Sequence, residues 1–162
     1  MPQGRTVSWK DRIAGAQSFD VAAQLGDFVF WKKDDEPAYQ LAVVVDDGIA
    51  GINQVVRGDD LLPSAARQVL LHEALQQASP EWWHLPLVHD EDGRRMAKRT
   101  GDATLQALRA EGCSVAQILT WVAESSGIRL TRVPRQAADL LAGFDPDRIP
   151  REAVTWRGLL ER

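Results

Sequence analysis

Residues 39–60 read Tyr39-Gln-Leu-Ala-Val-Val-Val-Asp-Asp-Gly-Ile-Ala-Gly-Ile-Asn-Gln-Val-Val-Arg-Gly-Asp-Asp60, and the fold turns on how this stretch is read. Three consecutive valines, Val43 to Val45, favour a buried strand, because β-branched side chains suit a pleated surface. Tyr39, Ala42, Val43 and Asp46 nevertheless fall at helical spacing. Local propensity alone favours the strand. A few dozen residues later a basic loop, Gly93-Arg94-Arg95-Met96-Ala97-Lys98-Arg99, follows the turn-forming Asp90-Glu91-Asp92.

Upstream, Thr6-Val7-Ser8-Trp9-Lys10-Asp11 alternates apolar with polar residues and predicts a short strand, turned near Gly15 toward Ser18-Phe19-Asp20. Gly26 to Lys33, rich in aromatic and β-branched residues, predicts a second strand that ends in the turn Asp34-Asp35-Glu36-Pro37. Downstream, Pro63-Ser64 predicts a helix with Ser64 as N-cap, an apolar face of Leu71, Ala74, Leu75 and Ala78, and an end near Ser79-Pro80. Trp82 to Val88 suits an interior strand.

Beyond residue 100 the pattern becomes helical. Asp102 is placed to cap a helix through Leu105 and Leu108 that ends at Gly112. Ser114 is placed to cap another, with Val115, Ile118, Leu119 and Val122 as a stripe running up to Gly127. Gln136 to Ala142 predicts a third, and Phe144 to Pro150 an ordered loop. The expected fold class is α/β, an alternating half followed by a small α-helical lobe, with the boundary near residue 101.

At 162 residues the chain can bury a core of its own, and 44% hydrophobic with 26% charged residues fits a globular protein. No apolar run approaches the ~18 residues of a membrane helix, and Met1 to Arg5 offers no apolar signal core. The cytoplasm is therefore the expected location. Cys113, the single cysteine, excludes an internal disulfide and a Cys-rich zinc site, and is expected as a small buried apolar residue. The net charge of −4 is uneven: residues 1–93 carry 7 Lys/Arg against 15 Asp/Glu, and residues 94–162 carry 12 against 8. Such a basic second part could attract phosphate, although a solvated face is the usual explanation of so modest an excess.

Adjacent carboxylates Asp46 and Asp47 could form an acid/base pair, but helix neighbours diverge by about 100°, so a structural role is expected. His72, His84 and His89 are not spaced as metal ligands, and no serine or cysteine nucleophile stands in a recognisable order with a base. Arg57 is chemically suited to hold a carboxylate through its planar fork, or else pairs with Asp59 or Asp60. The basic loop alone is a weak motif.

Together, Tyr39 to Asp47, Val56 to Leu62 and the basic loop with its lead-in His84-Leu85-Pro86-Leu87 resemble the class I aminoacyl-tRNA synthetases of the glutamyl kind. That resemblance implies the second half of a Rossmann-type catalytic domain over residues 1–100 and a helical lobe over 101–162. It implies a helix carrying Tyr39 and then a strand over Gly51 to Arg57. Tyr39 and Arg57 would line the glutamate site, and Arg95-Met96-Ala97-Lys98-Arg99 would match the family's KMSKS loop. There a mobile cation stabilises charge developing on the ATP phosphates, so Lys98 is the expected catalytic residue. His84, Arg95, Met96 and Ala97 would border ATP, bound with Mg2+, and no zinc site is expected. Two departures stand out: Val43 replaces a polar asparagine common in the family, and Arg95 and Ala97 replace lysine and serine.

Gly58-Asp-Asp-Leu-Leu-Pro-Ser64 with a short helical tail resembles the glutamyl-Q type, which transfers activated glutamate to queuosine in tRNA(Asp). The expected partners are glutamate, ATP, that tRNA and a separate N-terminal half carrying the His-Ile-Gly-His signature, without which adenylation is not expected. The competing expectation is a non-catalytic module that binds tRNA or a protein partner.

Overall fold

The computed structural model describes residues 4–96 and 104–159. Two compact units divide it, Met1–Leu85 and Pro86–Arg162.

In the first unit, β1 (Thr6–Asp11) is the predicted strand, and beyond the turn the chain returns as β2 (Gly15–Asp20) to make a hairpin, with Val7 opposite Phe19 and Trp9 opposite Gln17. Trp9 stacks on Phe19 at 5.6 Å between ring centroids. Asp20 then caps a wide helical turn over Val21–Leu25 by accepting from the Ala23 N–H at 2.7 Å. Residues 26–33 do not form the expected strand. Gly26 N–H closes the preceding helical turn on Val21 O, and the later part meets the short return after the turn through Lys32 N–H to Glu36 O and Ala38 N–H to Phe30 O, while Val29, Phe30 and Trp31 stay exposed. Aromatic composition favours a strand only where a neighbour offers a ladder, and none does here.

The decisive stretch is helical first. Helix α1 spans Tyr39–Ala50, and Gly51 ends it in the left-handed conformation, φ 68°, while the Ile52 N–H reaches back to Asp47 O. The valine run is absorbed by a helix that buries only Val44 completely. Because Gly51 is spent on that cap, the strand expected from Gly51 begins later, as β3 (Gln54–Gly58).

A 3₁₀ turn over Asp59–Leu61 leads into α2 (Leu62–Ala74), whose first turn holds Pro63. Ser64 is thus inside the helix rather than its N-cap, and its hydroxyl accepts from Gln40 Nε2 at 3.1 Å. The helix ends at Ala74, short of Ser79, with Gln76 in the left-handed region at φ 56°. Its buried face is Ala65, Ala66, Gln68, Val69 and His72, so the expected apolar stripe is displaced and Leu75 is exposed.

Strand β4 (Glu81–Leu85) runs parallel to β3, pairing Val55 with Trp82 and Arg57 with His84. Val7, Val21, Leu25, Ala65, Ala66, Val69 and Trp82 make the core between hairpin, α2 and ladder.

In the second unit β5 (Val88–His89) takes up the rest of the expected Trp82–Val88 strand beyond Pro86 and pairs in parallel with β6 (Val154–Thr155). Helix α3 (Leu105–Ala110) is capped by the Thr104 hydroxyl; Asp102 lies outside the described residues. Helix α4 (Val115–Ser125) opens on the expected Ser114, which forms a reciprocal capping box with Gln117. Val115 is exposed and Ala123 is the residue fully enclosed. The third expected helix is a 3₁₀ stretch, Ala137–Gly143, and the ordered loop contains another, Pro146–Arg148. Leu108, Cys113 and Leu159 form the core, flanked by Ile118 and by Trp121 edge-on to Trp156 at 4.7 Å. Among the described residues no helix is long and apolar enough to cross a membrane.

Candidate active site

The β3–β4 ladder builds the site. Residues two apart on a strand share a face, so the pairs Val55–Trp82 and Arg57–His84 both look toward the hairpin and α2, while exposed Val56 looks away. Arg57 therefore stands beside His84, with its guanidinium carbon 4.9 Å from the centre of the Trp82 ring.

His84 is held from both ends. Its Nδ1 lies 2.5 Å from Asp11 Oδ2, and its Nε2 accepts from the Arg57 Nε–H at 3.0 Å. The second oxygen of Asp11 accepts from the backbone N–H groups of Ile13, Ala14 and His84, at 3.1, 2.9 and 3.1 Å. A neutral imidazole has one donor and one acceptor nitrogen, and this arrangement assigns the proton to Nδ1. Both side chains are fully enclosed.

Electrostatics agree with that assignment. Burial lowers the His84 pKa, against the raising pull of Asp11, so the ring stays neutral. Burial pushes the Asp11 carboxyl up, but the hydrogen bonds from the His84 ring, the His84 backbone, Ala14 and Ile13 outweigh it and hold the group below its ordinary value. Arg57 is lowered by burial, against the opposing influence of Tyr39, Asp11, Asp47 and Asp60, yet a guanidinium remains charged. The result is a relay of carboxylate, neutral imidazole and guanidinium.

Besides Nε, the Arg57 Nη2 reaches Leu61 O at 3.4 Å. These bonds use one edge of the guanidinium; its Nη1–Nη2 edge has the geometry to grip a carboxylate. Tyr39, the first residue of α1, is 61% exposed and close enough to act electrostatically on Arg57.

Tyr39, Arg57 and His84 thus belong to one unit. Arg95 and Met96 belong to the other, where Arg95 bridges His89 and the Met96 N–H donates to Val88 O at 2.9 Å. The turn before them is pinned by Asp90, which accepts from the Arg94 N–H at 2.7 Å, and by Gly93 at φ 77°. Ala97 and Lys98 lie outside the described residues. Among those described, no group of three His, Cys, Asp or Glu side chains is arranged to hold a metal ion.

Sequence reasoning missed Asp11 and Trp82. Asp11 lies 73 residues from His84, and its local signal, a carboxylate ending a strand before a turn, reads only as a cap. Trp82 reads as core, which it also is.

Comparison with known proteins gives a consistent result. The pattern of the family described as tRNA synthetases class I (E and Q), catalytic domain, matches residues 1–126. The glutamyl-Q tRNA(Asp) synthetase of Symbiobacterium thermophilum is 45% identical over 148 residues, 91% of this chain and 46% of that protein. Its counterpart in Nocardia farcinica is 43% identical over 98% of this chain and 53% of its own length. The glutamate-tRNA synthetase of Elizabethkingia anophelis superposes with a TM-score of 0.81 at 26% identity, over 98% of this chain and 36% of that one. The chain therefore spans about half the length of these two curated relatives.

Proposed function

The chain belongs to the catalytic-domain family of the class I (E and Q) tRNA synthetases, and from that premise we propose that it supplies the glutamate pocket and nucleotide loop of an ATP-dependent glutamate-activating synthetase. Residues 1–100 act as the later half of a Rossmann-type catalytic domain and 101–162 as a helical lobe. The observation that carries this reading is the pairing of Arg57 with His84 near the end of a parallel ladder, which engages the guanidinium Nε–H inside the fold while Tyr39 acts electrostatically on the same group.

In this reading Arg57 grips a carboxylate of glutamate, and Tyr39 adds a phenol and an apolar ring. Lys98 brings positive charge to the ATP phosphates, accompanied by Mg2+, with Arg95, Met96 and Ala97 shaping the same loop. His84, with both ring nitrogens engaged by Asp11 and Arg57, serves the nucleotide side through the strand end that it anchors. The names of the two relatives at 45% and 43% identity support the glutamyl-Q type, with queuosine of tRNA(Asp) as acceptor.

Activity requires the remainder of the synthetase fold, because a loop lysine and a carboxylate clamp do not by themselves align ATP with glutamate. Two features support a further covering surface. Among the described residues β3 pairs only with β4, and Val56 is exposed on its outward face, whereas parallel sheets are normally covered on both faces. The test is glutamate-dependent ATP–pyrophosphate exchange, on this chain alone and with the N-terminal half of a glutamyl-Q relative added. Exchange that appears only in the mixture, and vanishes with Lys98→Ala or Arg57→Ala, supports the proposal; no exchange in either arrangement overturns it.

A second reading, a non-catalytic tRNA-binding module, is favoured by one observation: Arg132 and Arg135 line a surface groove with Val133, Gln136 and Asp139. Salt-dependent tRNA binding by a chain that never supports exchange would select it.

A further inference from the structure

Asp11 and His84, both enclosed, contact one another and the protein backbone, and through His84 Nε2 they meet a third ionisable side chain, the partly buried Arg57. We infer that Asp11 and His84 are positioning residues for Arg57: Asp11 fixes the imidazole with its proton on Nδ1, which leaves Nε2 to receive the Arg57 Nε–H and turns the guanidinium's outer edge toward a carboxylate ligand. The role given to that edge rests on the proposed glutamate pocket.

The chemistry is directional. Asp11 has no proton to give, so His84 must donate from Nδ1, and its lone pair is then forced onto Nε2. Arg57 has donors only, and a protonated or tautomerised Nε2–H would set donor against donor at 3.0 Å. The three backbone N–H groups on the other Asp11 oxygen prevent the carboxylate from turning, so the sense of the relay is built into the end of β1 and the start of its turn. Trp82 closes the guanidinium from below, its ring stacked toward that of His84 at 6.2 Å. The other charged groups acting on the pair, Asp47, Asp59 and Asp60, are carboxylates that favour a charged Arg57 without selecting a tautomer.

Asparagine at position 11 reverses the relay. Its oxygen takes the backbone N–H groups, its amide then donates to Nδ1, and the imidazole proton moves to Nε2, where it opposes Arg57. A residue that merely filled space would not move the tautomer.

The experiment is nitrogen NMR on the uniformly ¹⁵N-labelled 162-residue chain. Expected in the unaltered protein are a protonated Nδ1, a bare Nε2, and a scalar coupling across the Arg57 Nε–H to His84 Nε2 hydrogen bond. In Asp11→Asn the protonated nitrogen switches to Nε2, the coupling disappears, and the Arg57 Nε proton exchanges with water about tenfold faster, as loss of one charge-assisted hydrogen bond predicts. A protonated Nε2 in the unaltered protein, or an Arg57 Nε–H already exchanging as fast as that of exposed Arg132, overturns the inference, and both readings need no variant to fold. If the relay reverses as described while no mixture supports glutamate-dependent exchange, positioning of Arg57 stands and the glutamate pocket falls.

Discussion

Asp11 Oδ2 and His84 Nδ1 lie 2.5 Å apart, joining the end of the first strand to the last residue but one of the fourth with neither side chain touching solvent. A pair enclosed in this way makes stability depend on both partners. Asp11→Ala strips the imidazole of its acceptor and orphans three backbone N–H groups, and is expected to cost about 3 kcal/mol in urea unfolding of the chain.

The same pair gives stability a direction in pH. Burial holds the folded pKa of His84 below its ordinary value of 6.5, and it lowers His72 as well. Between the lowered folded values and 6.5 the unfolded chain binds more protons, so stability is full above 6.5 and declines as pH falls below it. Asp11, also lowered, adds a second loss as pH falls through its folded value beneath 3.8. Urea midpoints measured from pH 8 to pH 5 should fall with acidification, and His84→Gln should flatten that slope.

Arg57→Lys keeps a charge but loses the fork, the Nε donor and the flat contact with Trp82. In the assembled enzyme it is expected to lower glutamate-dependent exchange about ten- to a hundredfold, the worth of one or two charged hydrogen bonds. A rate equal to the unaltered one would remove Arg57 from the pocket.

Val56 is 60% exposed on the outward face of β3. Val56→Lys should leave the stability of the isolated chain within about 0.5 kcal/mol, as exposed substitutions generally do. It should nevertheless suppress exchange when the N-terminal half is supplied, because a charge would be set against the covering surface. Titrating that half while following exchange measures the effect.

Gly143 has no room for a side chain: a Cβ there would lie 2.1 Å from the Arg129 carbonyl oxygen. Gly143→Ala should destabilise the second unit by about 1–3 kcal/mol through the backbone shift it forces. Amide exchange resolved by residue should show the loss in α4 and leave the β1–β2 hairpin protected.

Where a signal was local, the sequence carried it. Thr6–Asp11 alternates and is a strand, Ser114 stands three residues before Gln117 and caps α4, and the Asp90–Gly93 turn lies where its composition puts it. Where the outcome depended on a distant neighbour, the sequence misled. Phe28 to Trp31 have strand propensity without a strand to pair with, and Ser64 yields the helix start to Leu62 because a 3₁₀ turn already points the chain into the helix. The valines of α1 show both sides of this: propensity favours a strand, and only the family resemblance placed a helix there. Within the candidate site, Arg57 and Tyr39 were named through that resemblance, whereas the Asp11 link spans 73 residues and has no local mark.

The pairing of Arg57 with His84 across β3 and β4 also governs which changes of chain length this region can absorb. Arg57 and His84 lie 27 positions apart, and the chain between them runs through a turn, a helix and a surface loop, any of which could gain or lose residues beyond the strand ends without disturbing the match. One residue inserted between Val55 and Arg57 would turn the guanidinium to the opposite face and leave Trp82 and His84 without it. Length variation among functional relatives should therefore collect between residues 75 and 80 and be absent from the two strands.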